Sequence, residues 1–167
     1  MIKVNVAEIK KNLVGTKQLS YEATPAELGI SPEEVRVEGT VKFTGTITNT
    51  GDVLLLQGKV QALVNRICGR CLQEFSRTST AEVLERYYPV GKEDETADGF
   101  AYSGDLVDIG PAIRECLVLA EPLKVLCKED CKGLCPKCGT NLNLHSCNCD
   151  RTHYNPKFSA LQKLLQK

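Results

Sequence analysis

The chain has 167 residues, 42% of them hydrophobic, no Trp, and 21 basic against 21 acidic side chains. That length suits one domain with a small appendage, and zero net charge removes the usual whole-molecule reason to expect a polyanion or an anionic membrane as partner. The start, MIKVNVAEIKKN, lacks an apolar leader core, and the apolar runs are no longer than five residues, too short to cross a bilayer. The expectation is therefore a cytoplasmic chain with no membrane partner, whose nine cysteines stay reduced. The charge is unevenly spread: residues 1–123 carry 13 Lys+Arg against 18 Asp+Glu, and residues 124–167 carry 8 against 3.

Residues 2–6 alternate weakly and predict a short strand. Residues 7–13 predict a helical turn with Ile9 and Leu13 on one side, and residues 16–23 a mostly polar strand. The clearest period begins at Val35. Apolar Val35, Val37, Val41, Phe43 and Ile47 occupy odd positions, and Arg36, Glu38, Thr40, Lys42, Thr44, Thr46 and Thr48 the even ones. A two-residue period of this length is a half-buried strand, with Gly39 and Gly45 as expected bulges or bends. Asn49-Thr-Gly51-Asp52 reads as a hairpin turn into a second strand, with Leu54, Leu56, Val60, Ala62 and Val64 on one face. A third strand is expected over residues 75–88, completing an antiparallel meander. Residues 91–105 are acidic and lose the pattern, so they read as a solvated loop. Ile109, Ala112, Ile113, Cys116, Leu117 and Ala120 recur at helical spacing, with Asp108 or Gly110 as cap, Pro111 in the first turn and Pro122 ending the helix. Cys116 reads as a small buried hydrophobe on that helix. A short amphipathic helix is expected after Asn155-Pro156.

The remaining eight cysteines come in pairs: Cys68/Cys71, Cys127/Cys131, Cys135/Cys138 and Cys147/Cys149. Six lie within residues 127–149, and Cys135-Pro-Lys-Cys138-Gly139 has the form of a zinc knuckle. Structural zinc takes four thiolates, so four pairs predict two Zn²⁺ per chain. One grouping joins Cys68 and Cys71 to Cys127 and Cys131, stapling the helix exit to a hairpin tip, and leaves Cys135, Cys138, Cys147 and Cys149 as a local knuckle. The other joins Cys127 and Cys131 to Cys135 and Cys138, so that Cys147 and Cys149 must reach the hairpin. His145 and His153 are alternative ligands, but with eight thiols already paired they read as surface polar residues. A closed four-thiolate site leaves no position for a reacting water. Phosphate-binding, nucleophile-elbow and zinc-protease motifs are missing from the sequence. These readings predict a non-enzyme without a small-molecule substrate. The fold expected is α+β, an antiparallel β-meander or partly open barrel with a packed helix, a C-terminal zinc knuckle and a short C-terminal helix. The division expected is a body over residues 1–126 and a cysteine-rich tail over residues 127–167.

Several strings together resemble one family: Cys68-Gly-Arg-Cys71-Leu-x-x-Phe75, Pro122-Leu-Lys-Val-Leu-Cys127, KEDCKGLCPKCGTNLN and Asn155-Pro156-Lys-Phe-x-x-Leu161. This pattern is similar to the YceD family of large ribosomal RNA subunit accumulation proteins, found in bacteria and chloroplasts. The resemblance implies a cytoplasmic, non-enzymatic role in the synthesis, processing or stability of large-subunit ribosomal RNA. It further implies that the tail cluster, which belongs to one branch, is scaffold rather than the shared activity. Arg70 matches the family's C-x-R-C pattern and, with Lys132, Lys137 and Arg151, is a candidate contact to RNA or protein. Three functions follow: a factor binding ribosomal RNA directly, an adaptor holding a large-subunit ribosomal protein without RNA contact, or a thiol redox or zinc sensor.

Overall fold

The computed structural model describes residues 1–91 and 98–150. Arg151, His153 and the helix expected after Asn155 lie outside them. The chain divides into two compact units, Met1–Arg66 with Glu74–Val125, and Ile67–Gln73 with the chain from Leu126 onward.

The elements in order are β1 (Lys3–Asn5), α1 (Ala7–Lys10), β2 (Thr16–Ala23), β3 (Val37–Asn49), β4 (Leu54–Ile67), β5 (Glu74–Pro89), β6 (Phe100–Tyr102), β7 (Leu106–Asp108) and α2 (Gly110–Leu119). Five strands form one sheet in the order β2-β3-β4-β5-β6, while β1 and β7 pair separately. The sheet is open, with β2 and β6 at its ends, which corrects the expected partly open barrel. The last strand explains why: β6 spans three residues and runs parallel to β5, and closure would require it to pair with β2.

The two-residue period carries the core. Val41, Phe43 and Ile47 of β3, Leu54, Leu56, Val60, Ala62 and Val64 of β4, and Val83 and Tyr87 of β5 are buried on one face. Fully burying a large aliphatic or aromatic side chain contributes about 1.5–3 kcal/mol. The opposite face keeps Lys42, Thr44, Gln57, Lys59 and Glu82 in solvent. A register shift between Glu38 and Lys42 takes four steps on β3 against two on β4, from Leu63 to Gln61. The excess is even, so the inward phase survives the bulge. At Gly45 the register is unbroken, so no bulge forms there. Gly45 pairs directly with Gly58, and a Cβ at Gly58 would meet the Phe43 ring at 2.8 Å. The two glycines let β3 and β4 approach beneath that ring.

Residues 100–102, within the stretch expected as a solvated loop, are a strand, and residues 106–108, where no strand was expected, are another. Each has three residues, too few to display a period. The Asp108 carboxylate accepts the backbone N–H groups of Ile2 and Gly110, both at 3.0 Å. It thus ties the first residues to the start of α2, whose Ala112, Ile113 and Leu117 are buried. Cys116 is half-buried, its thiol 3.9 Å from a Glu85 carboxylate oxygen, and burial pushes both groups up from their ordinary pKa values. Arg66 at the end of β4 makes a bidentate pair with Glu121 just after α2, at 2.9 and 2.6 Å. Among the described residues, no helix is long and apolar enough to cross a membrane.

Asn49 is the buried polar residue on which α1 depends. Its amide donates to Ile9 O at 3.1 Å and Asn12 O at 3.2 Å, and its Oδ1 accepts Gly51 N–H at 2.9 Å. Asn49→Ala removes all three bonds, leaving Ile9 O and Asn12 O with only their backbone donors and the Gly51 N–H without this acceptor. The expected cost is about 1–3 kcal/mol, read from the shift in urea-unfolding midpoint.

Candidate metal centres

The second unit, in its described residues, is built almost without an apolar core. Its buried residues are Cys68, Cys71, Cys131, Gly133 and Cys135. None of them belongs to the hydrophobic cluster of the body. Local backbone geometry sets up the thiols. In Cys68-Gly-Arg-Cys71, the Leu72 N–H donates to Cys68 O at 2.9 Å. In Cys135-Pro-Lys-Cys138, the Gly139 N–H donates to Cys135 O at 2.9 Å. The residue closing each turn has positive φ, 58° at Leu72 and 73° at Gly139. The chain therefore makes the same knuckle twice. The first repeat is masked in the sequence because leucine occupies the position that favours glycine.

The structure brings the four pairs together in two groups. Cys68, Cys71, Cys127 and Cys131 form one, and Cys135, Cys138, Cys147 and Cys149 the other, with all sulfurs in a group within 4.8 Å of one another. Cys127 and Cys131 thus join the first knuckle, not Cys135 and Cys138. In the first group, Cys68 Sγ lies 3.8 Å from Cys131 Sγ, and Cys71 Sγ lies 3.7 Å from Cys127 Sγ. These separations fit an ion at the centre: tetrahedral zinc with Zn–S of about 2.3 Å has an S···S edge of about 3.8 Å. None of the nine cysteines forms a disulfide.

Electrostatics point the same way. Backbone N–H groups of Cys127, Cys71 and Arg70 hold the Cys68 thiol down to about 6, while burial and the neighbouring sulfurs push Cys127 up to about 12. In the second group the hydroxyl and N–H of Thr140 hold Cys138 down to about 6, and the Cys138 sulfur with burial pushes Cys149 up to about 12. Four sulfurs this close cannot all ionise unless a cation replaces the protons they share. The donor set and geometry suit Zn²⁺ in both groups.

The candidate contact residues take different places. The Arg70 guanidinium donates to Cys131 O at 2.8 Å, and Arg70 O accepts Leu134 N–H at 3.1 Å. Arg70 is thus a brace between the two halves of the first centre, a role that only folding brings about. Lys132 and Lys137 are exposed. His145 is exposed and stands outside both cysteine groups. A cavity of about 580 Å³ is lined by Lys132, Leu142, Asn143, Leu144, His145 and Ser146. Asn143 is a residue that sequence reading missed: its amide lies 3.4 Å from Cys131 Sγ. Its signal was the asparagine-rich Asn141-Leu-Asn143 within the loop between ligands.

An open β-sheet body and a unit with two groups of four cysteines, each positioned to hold a metal ion, define a small β-rich, cysteine-clustered protein. The chain belongs to the YceD family, whose model, described as "Large ribosomal RNA subunit accumulation protein YceD", matches residues 56–165. Among curated relatives, it is similar to "Large ribosomal RNA subunit accumulation protein YCED homolog 1, chloroplastic" of Arabidopsis thaliana. That match is 25% identical over 144 residues and covers 68% of this chain and 45% of the relative. The Zea mays protein of the same name is 29% identical over 170 residues, covering 76% and 56%. "Uncharacterized protein YlbN" of Bacillus subtilis is 29% identical over 145 residues, covering 83% and 77%. The chain spans about half the length of the two plant relatives. No solved structure matches it.

Two outcomes are expected. Elemental analysis of the purified chain gives two zinc ions, falling to one in Cys68→Ser and to one in Cys138→Ser. In the metal-loaded chain, Leu72→Gly leaves the melting temperature unchanged or raises it. The left-handed conformation costs a leucine about 1–2 kcal/mol, against about 0.5–1 kcal/mol for the extra unfolded-state freedom of glycine. Gly139→Ala lowers the melting temperature for the converse reason.

Proposed function

We propose that this chain is a non-enzymatic, zinc-scaffolded factor for the accumulation of large-subunit ribosomal RNA, acting in the cytoplasm. The match over residues 56–165 to a family described by that accumulation carries the reading. The site chemistry supports its non-enzymatic part. Each centre already offers four thiolates, and a zinc ion so enclosed has no open position for substrate or water. The ion's role is to hold the second unit together, where the described residues bury little besides the cysteines.

The direct partner is the finer question, and charge bears on it. Ile67–Gln73 with the chain from Leu126 onward carries a formal +5 before its thiols ionise. Two zinc ions with eight thiolates contribute −4, leaving about +1. The other unit carries −5. So little positive charge favours the second reading, in which a basic large-subunit ribosomal protein is the direct partner and the RNA is protected through it. For direct RNA contact, Lys132, Lys137 and Arg151 are the candidates.

The test is complementation in cells lacking the protein. Wild type restores the ratio of large- to small-subunit ribosomal RNA, and a variant with Cys68→Ser and Cys138→Ser fails to do so. Full restoration by that variant overturns the scaffold role. Association with purified large-subunit ribosomal proteins that survives nuclease treatment identifies a protein partner. Binding to purified RNA that falls steeply with salt identifies direct contact.

A further inference from the structure

We infer that the two cysteine centres load metal cooperatively and that Asn143 couples them. The inference rests on the reading of both groups as zinc sites. Asn143 lies in the loop that runs from Cys138 to Cys147, two ligands of the second centre. Its side chain, however, serves the first. The Nδ2 group donates to Cys131 Sγ at 3.4 Å, and Oδ1 accepts the Lys132 N–H at 2.9 Å. One amide therefore grips both a ligand of the first centre and the peptide that follows it.

Asn143 is itself held by the loop. Its second Nδ2 hydrogen reaches Asn141 Oδ1 at 2.9 Å, and its backbone N–H donates to the same oxygen at 3.0 Å. Asn141 is bridged to Leu134. On either side of that bridge, Cys135 N–H donates to Thr140 O at 2.8 Å, and Leu142 N–H to Gly133 O at 2.9 Å. The loop has no buried residue of its own from 139 to 146. Its order depends on these backbone bonds and on Cys138 and Cys147 being drawn to one ion. Filling the second centre closes the loop ends and lowers the entropy cost of presenting Asn143 to Cys131. The donated N–H disperses negative charge on the Cys131 sulfur and orients it for the metal, as outer partners of metal ligands do. Coupling is reciprocal: an occupied first centre, holding Cys131 in place, orders Asn143 and the loop that carries two ligands of the second.

The experiment uses the full chain and two readouts. Native mass spectrometry at one Zn²⁺ per chain reads the distribution of zero-, one- and two-ion species. Cooperative loading gives mainly zero- and two-ion species in the wild type, and Asn143→Ala restores a dominant one-ion species. Competition with a chromogenic chelator then reads the affinity of the first centre. It falls about tenfold in Cys147→Ser, the lower end of the effect expected for an outer partner of a ligand. It falls by a similar factor in Asn143→Ala, and no further when the two are combined, because both act through one contact. A dominant one-ion species in the wild type, or additive losses in the double variant, overturns the coupling while leaving two zinc sites standing. Failure to bind zinc at all overturns the site assignment together with the coupling.

Discussion

The second unit depends on one constraint, the meeting of four sulfurs contributed by two distant stretches of chain. Cys68 and Cys131 are 63 residues apart and Cys71 and Cys127 are 56 apart, yet their sulfurs lie 3.8 and 3.7 Å from each other. A link across such a span removes roughly 4 kcal/mol of unfolded-chain entropy in the loop-closure treatment. The described residues around it bury little else, so an ion held there would do the work that aliphatic packing does in the body. Arg70 shows how the peptide adapts to this: its side chain and its carbonyl both bond to the segment that brings Cys131.

Two ways of building a core thus stand side by side in one short chain. The body uses an alternating apolar pattern on an open sheet, made tolerant of a bulge by an even register shift. The cysteine-rich unit uses two repeats of a tight turn whose fifth residue adopts positive φ. Closed thiolate centres confer rigidity without reactivity, and that suits a factor that positions or protects other molecules. Metal loading also reduces the basic character that the tail shows on paper. This bears on the choice between RNA and protein as direct partner more than any single lysine does.

Much of the body was legible because its signals are local. Alternation over β3 and β4 and the helical spacing of Ile113 and Leu117 each fit within a dozen or so residues. Gly39 falls within the register shift, as a bulge glycine should. Gly45 carries no bulge and sits instead where β3 and β4 approach closely opposite Gly58, which sequence does not distinguish from a bulge position. The strands β6 and β7 were illegible, being three residues each. For β7 the partner is β1, about a hundred residues away.

The cysteine spacing pointed to the chemistry, since pairs two to four residues apart suit a metal with four thiolate ligands, and folding gathers them into two groups of four. It also marked the knuckle at Cys135, where glycine follows the second thiol. Which pairs share an ion, that Leu72 closes a second copy of the same turn, and that Arg70 and Asn143 serve Cys131 emerged only with folding. The physical reason is that a ligand set is a property of distance in space. The entropy of closing a loop grows only with the logarithm of its length, so spacing along the chain hardly discriminates between a near partner and a far one.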